Sequence, residues 1–308
     1  MPVPHAKSWG SLVRNARAEA SRLGLLAAPR HAIVGTVPAQ HMYGFESTVL
    51  LAMHGNAPFW SGKPFYPQDI AAALRAVPSP RLLVTTPFHL RALLAADVEL
   101  PAITLLLSAT APLAGELAAD AEGRLRAPLH EIYGCTETGQ LASRRLLDDP
   151  AWLPLDGVRL QRVAGQVLAS GGHIEGTIAL ADEIELLADG RFMLLGRNAD
   201  LISIAGKRTS LAYLNHQITA IPGVVDAAFF QPDDASATGT TRLCAFAVAP
   251  ELSVQQLLAR LRQRVDAAFL PRPLLLVDSL PRNSTGKLPR SELQALYESR
   301  PTARHALR

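Results

Sequence analysis

The spacing of apolar residues alternates between helical and strand-like along the first half of the chain. From Ser8 to about Leu26 the apolar positions fall near helical spacing, which predicts an amphipathic helix. Short apolar runs bounded by Pro or Gly then predict strands: "LLVTT" from 82, "ITLLLSA" from 103 and "HEIYG" from 130. Helical stretches separate them: "DIAAALRAV" from 69 and "GELAADAEGRL" from 115. This order predicts an α/β fold with a parallel sheet, whose strand-end loops are available for ligands.

Two further sequence patterns follow after Pro150. Glycine-spaced short strands, "GVRLQRV", "GQVLAS", "GTIAL" and "GRFMLLG", predict a β-rich subdomain. From about Asn198, "DAAFFQP", "RLCAFAVA" and "PLLLVDSL" predict strands, and "SVQQLLARLRQRVDAAF" predicts a helix that Ser253 and Gln256 begin as a capping box. We therefore expect a large domain over residues 1–196 and a small α+β domain over 197–308.

Composition narrows the functional classes. The 308 residues are 48% hydrophobic and 19% charged, and a net charge of +3 is too balanced to favour nucleic acid as a partner. Cys135 and Cys244 have neither CxxC spacing nor nearby His partners, which argues against a disulfide framework or a zinc site and predicts a cytoplasmic protein. No apolar run is long enough to span a membrane.

Generic catalytic motifs do not match. "STGK" at 284–287 has Pro281 and Leu288 where a Walker loop needs a glycine and a hydroxyl residue. Ser170 lacks the glycine of a nucleophile elbow two residues before it. The chemistry must therefore come from a less common pattern.

Polar clusters instead follow the predicted strands. "SATAP" follows the strand at 103, "YGCTETG" follows the strand at 130, and "LADE" precedes "DGRFMLLGRNAD". Singly, each has a structural explanation: Glu137 as a solvated carboxylate, Asp182 as a turn cap, or Arg197 as a partner of Asp200. Together they supply a carboxylate, small hydroxyl residues and glycines on successive loops, as a nucleotide with a metal-bound triphosphate requires.

The order of these motifs resembles that of the adenylate-forming superfamily, which includes acyl- and aryl-CoA synthetases, luciferases and nonribosomal adenylation domains. "YGCTETG" resembles its Tyr-Gly-x-Thr-Glu signature, and "SATAPL" its small-residue loop beside adenine. "GRNADLISIAGKRTS" resembles its hinge and Gly-x-Arg loop, "LPRNSTGKLPR" its terminal Gly-Lys segment, and "PAQHMYGF" its acid-pocket element. The resemblance extends over about 250 residues and implies an α/β adenylation domain followed by a mobile α+β domain.

The resemblance also implies roles for individual residues. Thr136 would contact the α-phosphate, Glu137 would hold Mg²⁺ on the ATP phosphates, and Lys287 would contact the substrate carboxylate and the α-phosphate as a catalytic residue. The implied nucleotide-binding residues are Ser108, Ala109, Thr110, Tyr133, Gly134, Asp182, which would bind the ribose, and Arg197. The implied acyl pocket includes His41, Tyr43 and Gly44, and the implied thiol-side loop includes Gly206 and Arg208.

Two features depart from the family pattern. Ala199 stands where the family has its first hinge Asp, and Ser203 replaces a common Lys or Asn. The family's Ser-Gly-Ser/Thr-Thr-Gly-x-Pro loop, which wraps the β- and γ-phosphates, has no counterpart, whereas "PVPHAKSW" resembles the residues directly after it. We therefore expect the chain to begin just downstream of that loop, with an incomplete large domain and impaired adenylation.

The expected reaction is ATP- and Mg²⁺-dependent activation of a carboxylic acid as acyl-adenylate. The acyl group would then pass to the thiol of CoA or to the phosphopantetheine of an acyl carrier protein. Two alternatives remain open: a non-catalytic module that binds nucleotide or acyl groups, and a thioester-forming half-enzyme that uses preformed acyl-adenylate. The sequence does not identify the acid.

Overall fold

The computed structural model describes residues 5–27, 29–197, 201–204, 206–232, 243–282 and 288–299. The chain divides into two compact units, and the division falls between positions 198 and 199. Each unit has apolar clusters of its own.

A six-stranded sheet runs through the described part of the first unit in the order β1-β2-β3-β4-β5-β6. Its strands are β1 (Ala32–Gly35), β2 (Arg81–Thr85), β3 (Leu105–Ser108), β4 (Leu129–Cys135), β5 (Gly139–Arg144) and β6 (Leu153–Pro154). Strands β1 to β4 are parallel, whereas β5 and β6 join antiparallel. The predicted α/β class and the three predicted strands are confirmed, but the antiparallel β4–β5 hairpin was not predicted.

Helices cover both faces of this sheet. They are α1 (Trp9–Arg22), α2 (Met42–Gly44), a π-helical segment (Phe45–Leu50), α3 (Leu51–Gly55), α4 (Pro67–Ala76), α5 (Pro87–Ala95) and α6 (Gly115–Leu125). Successive strand residues point to opposite faces. Leu83 accordingly packs in the cluster with α4, α5 and α6, and Leu82 packs in the cluster with α1 and α3. Burial on both faces explains why these strands are continuous apolar runs.

The β-rich part predicted after Pro150 is present in the first unit. It consists of β7 (Val158–Val163), β8 (Gln166–Gly171) and β9 (Ile174–Ala179) in an antiparallel sheet, and the hairpin of β10 (Asp182–Leu186) and β11 (Phe192–Arg197). Trp152 and Phe192 are buried in one apolar cluster with Tyr133 of β4. This cluster packs the β-rich part against the large sheet.

The second unit is the predicted small α+β fold. Its elements are β12 (Leu201–Ile204), β13 (Lys207–Ser210), α7 (Leu211–Thr219), β14 (Asp226–Phe230), β15 (Cys244–Val248), α8 (Val254–Leu261), β16 (Leu274–Leu276) and α9 (Arg290–Glu298). Strand β15 pairs antiparallel with β14 and parallel with β16. Phe229 and Phe230 lie in different apolar clusters, as expected for adjacent residues of one strand.

The helix predicted over 253–269 is shorter in the structure. The capping box of Ser253 and Gln256 begins α8 as predicted, but α8 ends at Leu261. Asp266 has an extended backbone, and its side chain accepts a hydrogen bond from Ala268 N to start a separate 3₁₀ turn. In the described ranges, no helix combines the length and apolar character needed to cross a membrane.

Candidate active site

The loop after β3 begins with a buried hydroxyl group. Ser108 ends β3 in register with Thr85 of β2 and Glu131 of β4. Ser108 is fully buried, and its Oγ has no hydrogen-bond partner. Ala109 is buried beside it, and Thr110 has a φ of 78°. A buried hydroxyl without a partner normally requires a polar group to bond with, so this strand end fits a ligand with polar atoms.

Tyr133 and Gly134 end the apolar part of β4 and have separate structural roles. The Tyr133 hydroxyl donates a 2.5 Å hydrogen bond to Asp182 Oδ2, and its ring packs against Trp152 and Phe192. A Cβ atom on Gly134 would lie only 2.8 Å from Gln140 Cα and closer still to the Gly139 carbonyl. Only glycine therefore lets β4 and β5 approach this closely.

Asp182 and Arg197 meet across the β10–β11 hairpin. They are register partners, although fifteen positions separate them in sequence. With Tyr133 of the large sheet bonded to Asp182 of the hairpin, three of the predicted nucleotide-binding positions lie close together. Of Arg197 only the backbone position is described. A carboxylate held at a strand end by a phenol is suited to accept hydrogen bonds from ligand hydroxyls.

Thr136 and Glu137 lie in the turn between β4 and β5. The Glu137 side chain is 43% exposed, and its Oε1 lies 3.6 Å from His5 Nε2. Lys7 Nζ donates a 3.2 Å hydrogen bond to the Glu137 carbonyl. Basic groups therefore contact the turn that carries the predicted metal ligand.

His173 holds the same turn from the β-rich side. Its Nε2 lies 3.1 Å from the Thr138 carbonyl oxygen. Burial lowers the pKa of His173 to about 4, so the imidazole is neutral at pH 7 and can donate from Nε2. Ser11 Oγ bonds to the His173 carbonyl, which connects α1 to this support.

An open cavity of about 220 Å³ adjoins the turn. Its lining includes His5, Lys7, Ser11, Glu137 and Glu175. In the part of the chain that is described, no three His, Cys, Asp or Glu side chains form a metal cluster. Glu137 still fits Mg²⁺, because Mg²⁺ is usually bound by one or two carboxylates together with substrate phosphates and water.

His41, Tyr43 and Gly44 have clear local structural roles. His41 Nδ1 accepts a hydrogen bond from Tyr43 N and caps α2. The Tyr43 hydroxyl lies 3.2 Å from the Thr85 carbonyl and 3.1 Å from the Leu107 carbonyl, so it bridges the ends of β2 and β3. A Cβ on Gly44 would lie 2.6 Å from the Val37 carbonyl. Their role in an acyl pocket stays a prediction.

The remaining predicted residues belong to the C-terminal part of the chain. Lys287 and Ala199 lie outside the described residues. Gly206 is an exposed turn residue with a φ of 76°, and Arg208 is a register partner of Ser203 in the β12–β13 hairpin. The roles predicted for Lys287, Gly206 and Arg208 stay predictions.

Sequence reasoning missed His5, Lys7 and His173 as neighbours of the turn. The resemblance of "PVPHAKSW" to residues that follow a phosphate loop is the one sequence signal for His5 and Lys7. His173 gave no signal, because its contact with Thr138 joins residues 35 positions apart.

The fold defines an α/β protein with a cluster of polar residues at its strand ends, and comparison with known proteins identifies its family. The profile of the family described as "AMP-binding enzyme" matches residues 5–169, more than half of the chain. A 4-coumarate–CoA ligase of Rhodobacter capsulatus is 30% identical over 291 residues, covering 93% of this chain and 71% of the relative. A 4-coumarate–CoA ligase of Cereibacter sphaeroides is 27% identical, covering 93% and 67%. The chain belongs to the AMP-binding enzyme family, in the group of AMP-forming acid–CoA ligases.

Solved structures agree on the fold. MatB from Rhodopseudomonas palustris bound to ATP superposes with a TM-score of 0.78 at 20% identity, covering 95% of this chain. The o-succinylbenzoate–CoA synthetase from Bacillus subtilis in complex with AMP gives a TM-score of 0.78 at 18% identity, covering 94%. The chain spans 65% and 66% of the length of these two structures.

Proposed function

We propose that this chain acts in the AMP-forming activation of a carboxylic acid and the transfer of the acyl group to a thiol, with adenylation impaired because its residues include no counterpart of the family's Ser-Gly-Ser/Thr-Thr-Gly-x-Pro phosphate loop. In the first step a carboxylate oxygen bonds to the α-phosphorus of ATP, and the bond to pyrophosphate breaks. In the second step a thiolate sulfur bonds to the acyl carbon, AMP leaves, and the thiol proton passes to solvent. Membership of the AMP-binding enzyme family and the two CoA-ligase relatives support this reaction.

The observation that carries the proposal is the Tyr133–Asp182 hydrogen bond, with Asp182 opposite Arg197 across a hairpin. In this arrangement Asp182 accepts hydrogen bonds from the ribose hydroxyls, and Arg197 contacts the ribose or a phosphate. Ser108, with its buried Oγ, begins the loop that faces the adenine. Tyr133 acts as a positioning residue for Asp182.

The Thr136–Glu137 turn handles the phosphates in this proposal. Thr136 contacts the α-phosphate, and Glu137 holds Mg²⁺, which offsets the negative charge of the phosphates when it is bound. Lys7 keeps a positive charge beside the turn, and the His5 imidazole lies 3.6 Å from the Glu137 carboxylate. Lys287 contributes an ammonium to the attacking carboxylate and the α-phosphate, a role that rests on its sequence motif alone.

The acid is proposed to be aromatic, because both coumarate–CoA ligase relatives are named for an aryl acid. His41, Tyr43 and Gly44 are proposed to border the acyl pocket. The proposed thiol is that of CoA. The alternative is a phosphopantetheine on a carrier protein, which is considered because a nonribosomal peptide synthetase of Streptomyces venezuelae is 32% identical over 154 residues. Residues 1–196 and 197–308 are proposed as the two functional domains, and the cytoplasmic location stays a prediction.

Titration calorimetry of the 308-residue chain with ATP and Mg²⁺, AMP, and a non-hydrolysable coumaroyl-adenylate mimic tests the proposal. Wild-type protein should bind all three, and Asp182→Asn should weaken all three, because each contains the ribose. Asp189→Asn is the matched control, since the hydrogen bonds of Asp189 among the described residues come from the half-buried Arg191 two positions away and not from the candidate site. Absence of binding to all three ligands would contradict the proposed function.

Turnover assays separate the two alternatives. ATP–pyrophosphate exchange that depends on an added acid shows adenylation by this chain, with aromatic and aliphatic acids compared. Binding without exchange, but with transfer from a preformed adenylate to CoA, shows a thioester-forming half-enzyme. Binding without either reaction shows a non-catalytic module.

A further inference from the structure

A cluster of buried polar side chains lies next to Gly139, directly after the turn that carries Thr136 and Glu137. We call it the Asn15 cluster, and its members are Asn15 and Glu19 of α1, Glu46 and Ser47 of the π-helical segment, and Gln140 of β5. Each is at most 3% exposed. Helix α1, the π-helical segment and β5, which are distant in sequence, therefore bury their polar side chains next to one another.

Two hydrogen bonds join these elements. Asn15 Nδ2 donates to Glu46 Oε1 at 2.7 Å, and Gln140 Nε2 donates to Ser47 Oγ at 2.8 Å. The pair also lies close to Gly139, because a Cβ added there would lie only 2.9 Å from Asn15 Nδ2 and 3.0 Å from Glu46 Oε1. Gly139 is thus enclosed by this pair on one side and by Gly134 on the other.

The cluster has more acceptors than donors. Asn15 Oδ1 and Gln140 Oε1 are buried without a hydrogen-bond partner, and the buried carboxyl oxygens of Glu19 have only the side chains of Ser47 and Gln140 near enough to lower its pKa, without well-formed hydrogen bonds. An ionised carboxylate only accepts, whereas a protonated carboxyl also supplies an O–H donor. Protons on the two glutamates would therefore provide the donors that these oxygens lack.

Charged groups around the cluster do not supply the missing counter-charge. In the described ranges, neither Glu19 nor Glu46 forms an ion pair. Arg14 and Arg17, which lie on α1 like Asn15 and Glu19, have exposed side chains. Arg22 of α1 bonds to Ser143 and to the carbonyls of β6.

The remaining titratable neighbours come from other elements. Lys7 attracts the charge of Glu46 but bonds to the Glu137 carbonyl. Tyr43 of α2 bonds to strand carbonyls, and His54 of α3 packs against Trp9. Strand β1 has no titratable residue. Two buried carboxylates without a paired cation are costly, so protonation is favoured over ionisation.

We propose that Asn15 and Glu46 are positioning residues for the Thr136–Glu137 turn, and that Glu46 does so as a neutral carboxylic acid. The pair leaves no room for a side chain at Gly139 and so restricts where β5 begins. The proposal deepens the proposed function, because it rests on the phosphate-side role given to Thr136 and Glu137.

The acid–base properties of the two glutamates agree with this arrangement. Burial, followed by the charge of Glu19, raises the pKa of Glu46 to about 8, against smaller opposing effects of Lys7 and the Asn15 hydrogen bond. Burial raises the pKa of Glu19 to about 7. At pH 6.5 both carboxyls are therefore mainly protonated, and at pH 9 both are ionised.

The first experiment is independent of activity and measures the urea midpoint of the first unit between pH 5 and 9. Glu46→Gln keeps the shape and neutrality of the protonated acid, so it should leave the midpoint unchanged near pH 5 and raise it above wild type at pH 9. Glu131→Gln is the matched control: Glu131 is equally buried and burial raises its pKa, but it forms a 2.6 Å ion pair with Arg144, so this substitution should lower the midpoint at pH 9. A Glu46→Gln midpoint lowered at pH 9, as in the control, would show that Glu46 is stabilising as a carboxylate and overturn its neutral role.

The second experiment measures the Kd for ATP with Mg²⁺ and for AMP at pH 7. Glu46→Ala removes the acceptor for Asn15 and should raise the Kd for ATP at least fivefold and the Kd for AMP by a smaller factor, because AMP uses the α-phosphate contact of Thr136 but not the Mg²⁺ that Glu137 holds. Glu46→Gln should restore the Kd for ATP. If wild type binds ATP and Glu46→Ala binds it equally well, the positioning role is wrong.

The two readouts also separate failure of this proposal from failure of the proposed function. If wild type binds no nucleotide, the proposed function fails, and the positioning role fails with it, whereas the urea series still reports the protonation of Glu46. If Glu46→Gln does not fold, infrared spectra of the wild type decide protonation: a protonated carboxyl band at pH 6.5 that is lost at pH 9 is expected, and its absence at pH 6.5 would overturn the neutral role.

Discussion

Tyr133 shows how one residue can serve packing and a ligand site at the same time. Its ring contributes to the apolar cluster with Trp152 and Phe192, while its hydroxyl bonds to Asp182. Aromatic packing keeps the ring in place when the hydroxyl is removed, so removal of the hydroxyl tests the hydrogen bond to Asp182.

Tyr133→Phe should leave the fold intact and weaken ATP binding. Loss of a hydrogen bond to a charged group costs about 1.5–3 kcal/mol when it is removed, and we expect part of this, about 1.4 kcal/mol or a tenfold rise in Kd, to appear in binding. Titration calorimetry measures it, with the exposed Tyr66 changed to Phe as control. An unchanged Kd in Tyr133→Phe would remove Tyr133 from the ribose site.

Lys287→Ala tests the role that rests on sequence alone. In a preparation that shows ATP–pyrophosphate exchange, we expect exchange to fall at least about 100-fold, because a positioned charge at a reacting phosphate contributes on the order of 3 kcal/mol or more. Circular dichroism should match wild type. The exposed Lys63, changed to Ala, is the control. Exchange that persists in Lys287→Ala at the control level would refute the assignment.

At the scale of elements, the β4–β5 hairpin depends on glycines that allow close backbone contact. Gly134 cannot carry a Cβ without collision with Gly139 and Gln140. The register shift between Tyr133 and Gly134 lies at the same point. The turn with Thr136 and Glu137 is therefore shaped by its flanking glycines.

Gly134→Ala should destabilise the first unit by about 1–3 kcal/mol, the usual cost of overpacking. Gly123→Ala is a control of opposite sign: Gly123 lies inside α6 with open space at its Cβ position, so we expect stabilisation by about 0.5–1 kcal/mol. Urea denaturation of both variants measures the difference. Equal effects of the two substitutions would contradict the close-contact explanation.

At the scale of the whole molecule, buried titratable groups predict how stability depends on pH. Burial raises the pKa of Glu19 to about 7 and of Glu46 to about 8, whereas it lowers the pKa of His89 and His173 to about 4. Because these carboxyl pKa values are raised, the folded state keeps protons that the unfolded state has released. The contribution of the two carboxyls to the free energy of unfolding therefore decreases from about pH 4.5 to pH 8. The lowered histidine pKa values have the opposite effect between about pH 4 and 6.5.

Below pH 6.5 the glutamates and the histidines change the free energy of unfolding in opposite directions. Above pH 6.5 the change caused by the glutamates is the larger. The free energy of unfolding of the first unit should therefore vary little between pH 5 and 6.5 and then fall by about 2 kcal/mol between pH 6.5 and 8. Urea denaturation at fixed ionic strength measures this. Stability that rises over pH 6.5–8 would show that the buried carboxyls are ionised at neutral pH.

Prediction from sequence succeeded where local pattern and motif order were sufficient. The apolar runs that became β2, β3 and β4 are buried on both faces, and such runs are recognisable without knowledge of their partners. It failed for the β4–β5 hairpin, because "TETGQLASR" has no continuous apolar run. It also failed for the end of α8: the helical spacing of apolar residues continues past Leu261, but Asp266 caps a separate 3₁₀ turn there.

The sequence by itself determined the α/β class, the order of the site motifs and membership of the AMP-binding enzyme family, because apolar periodicity and motif order are written along the chain. Only the tertiary structure decided that Tyr133 bonds to Asp182, that Asp182 faces Arg197, and that Asn15 and Glu46 enclose Gly139. The residues of these pairs lie at least 15 positions apart in sequence, and Asn15 and Gly139 lie much further apart. Their contact depends on strand register and helix packing. Local residue patterns do not encode such distances.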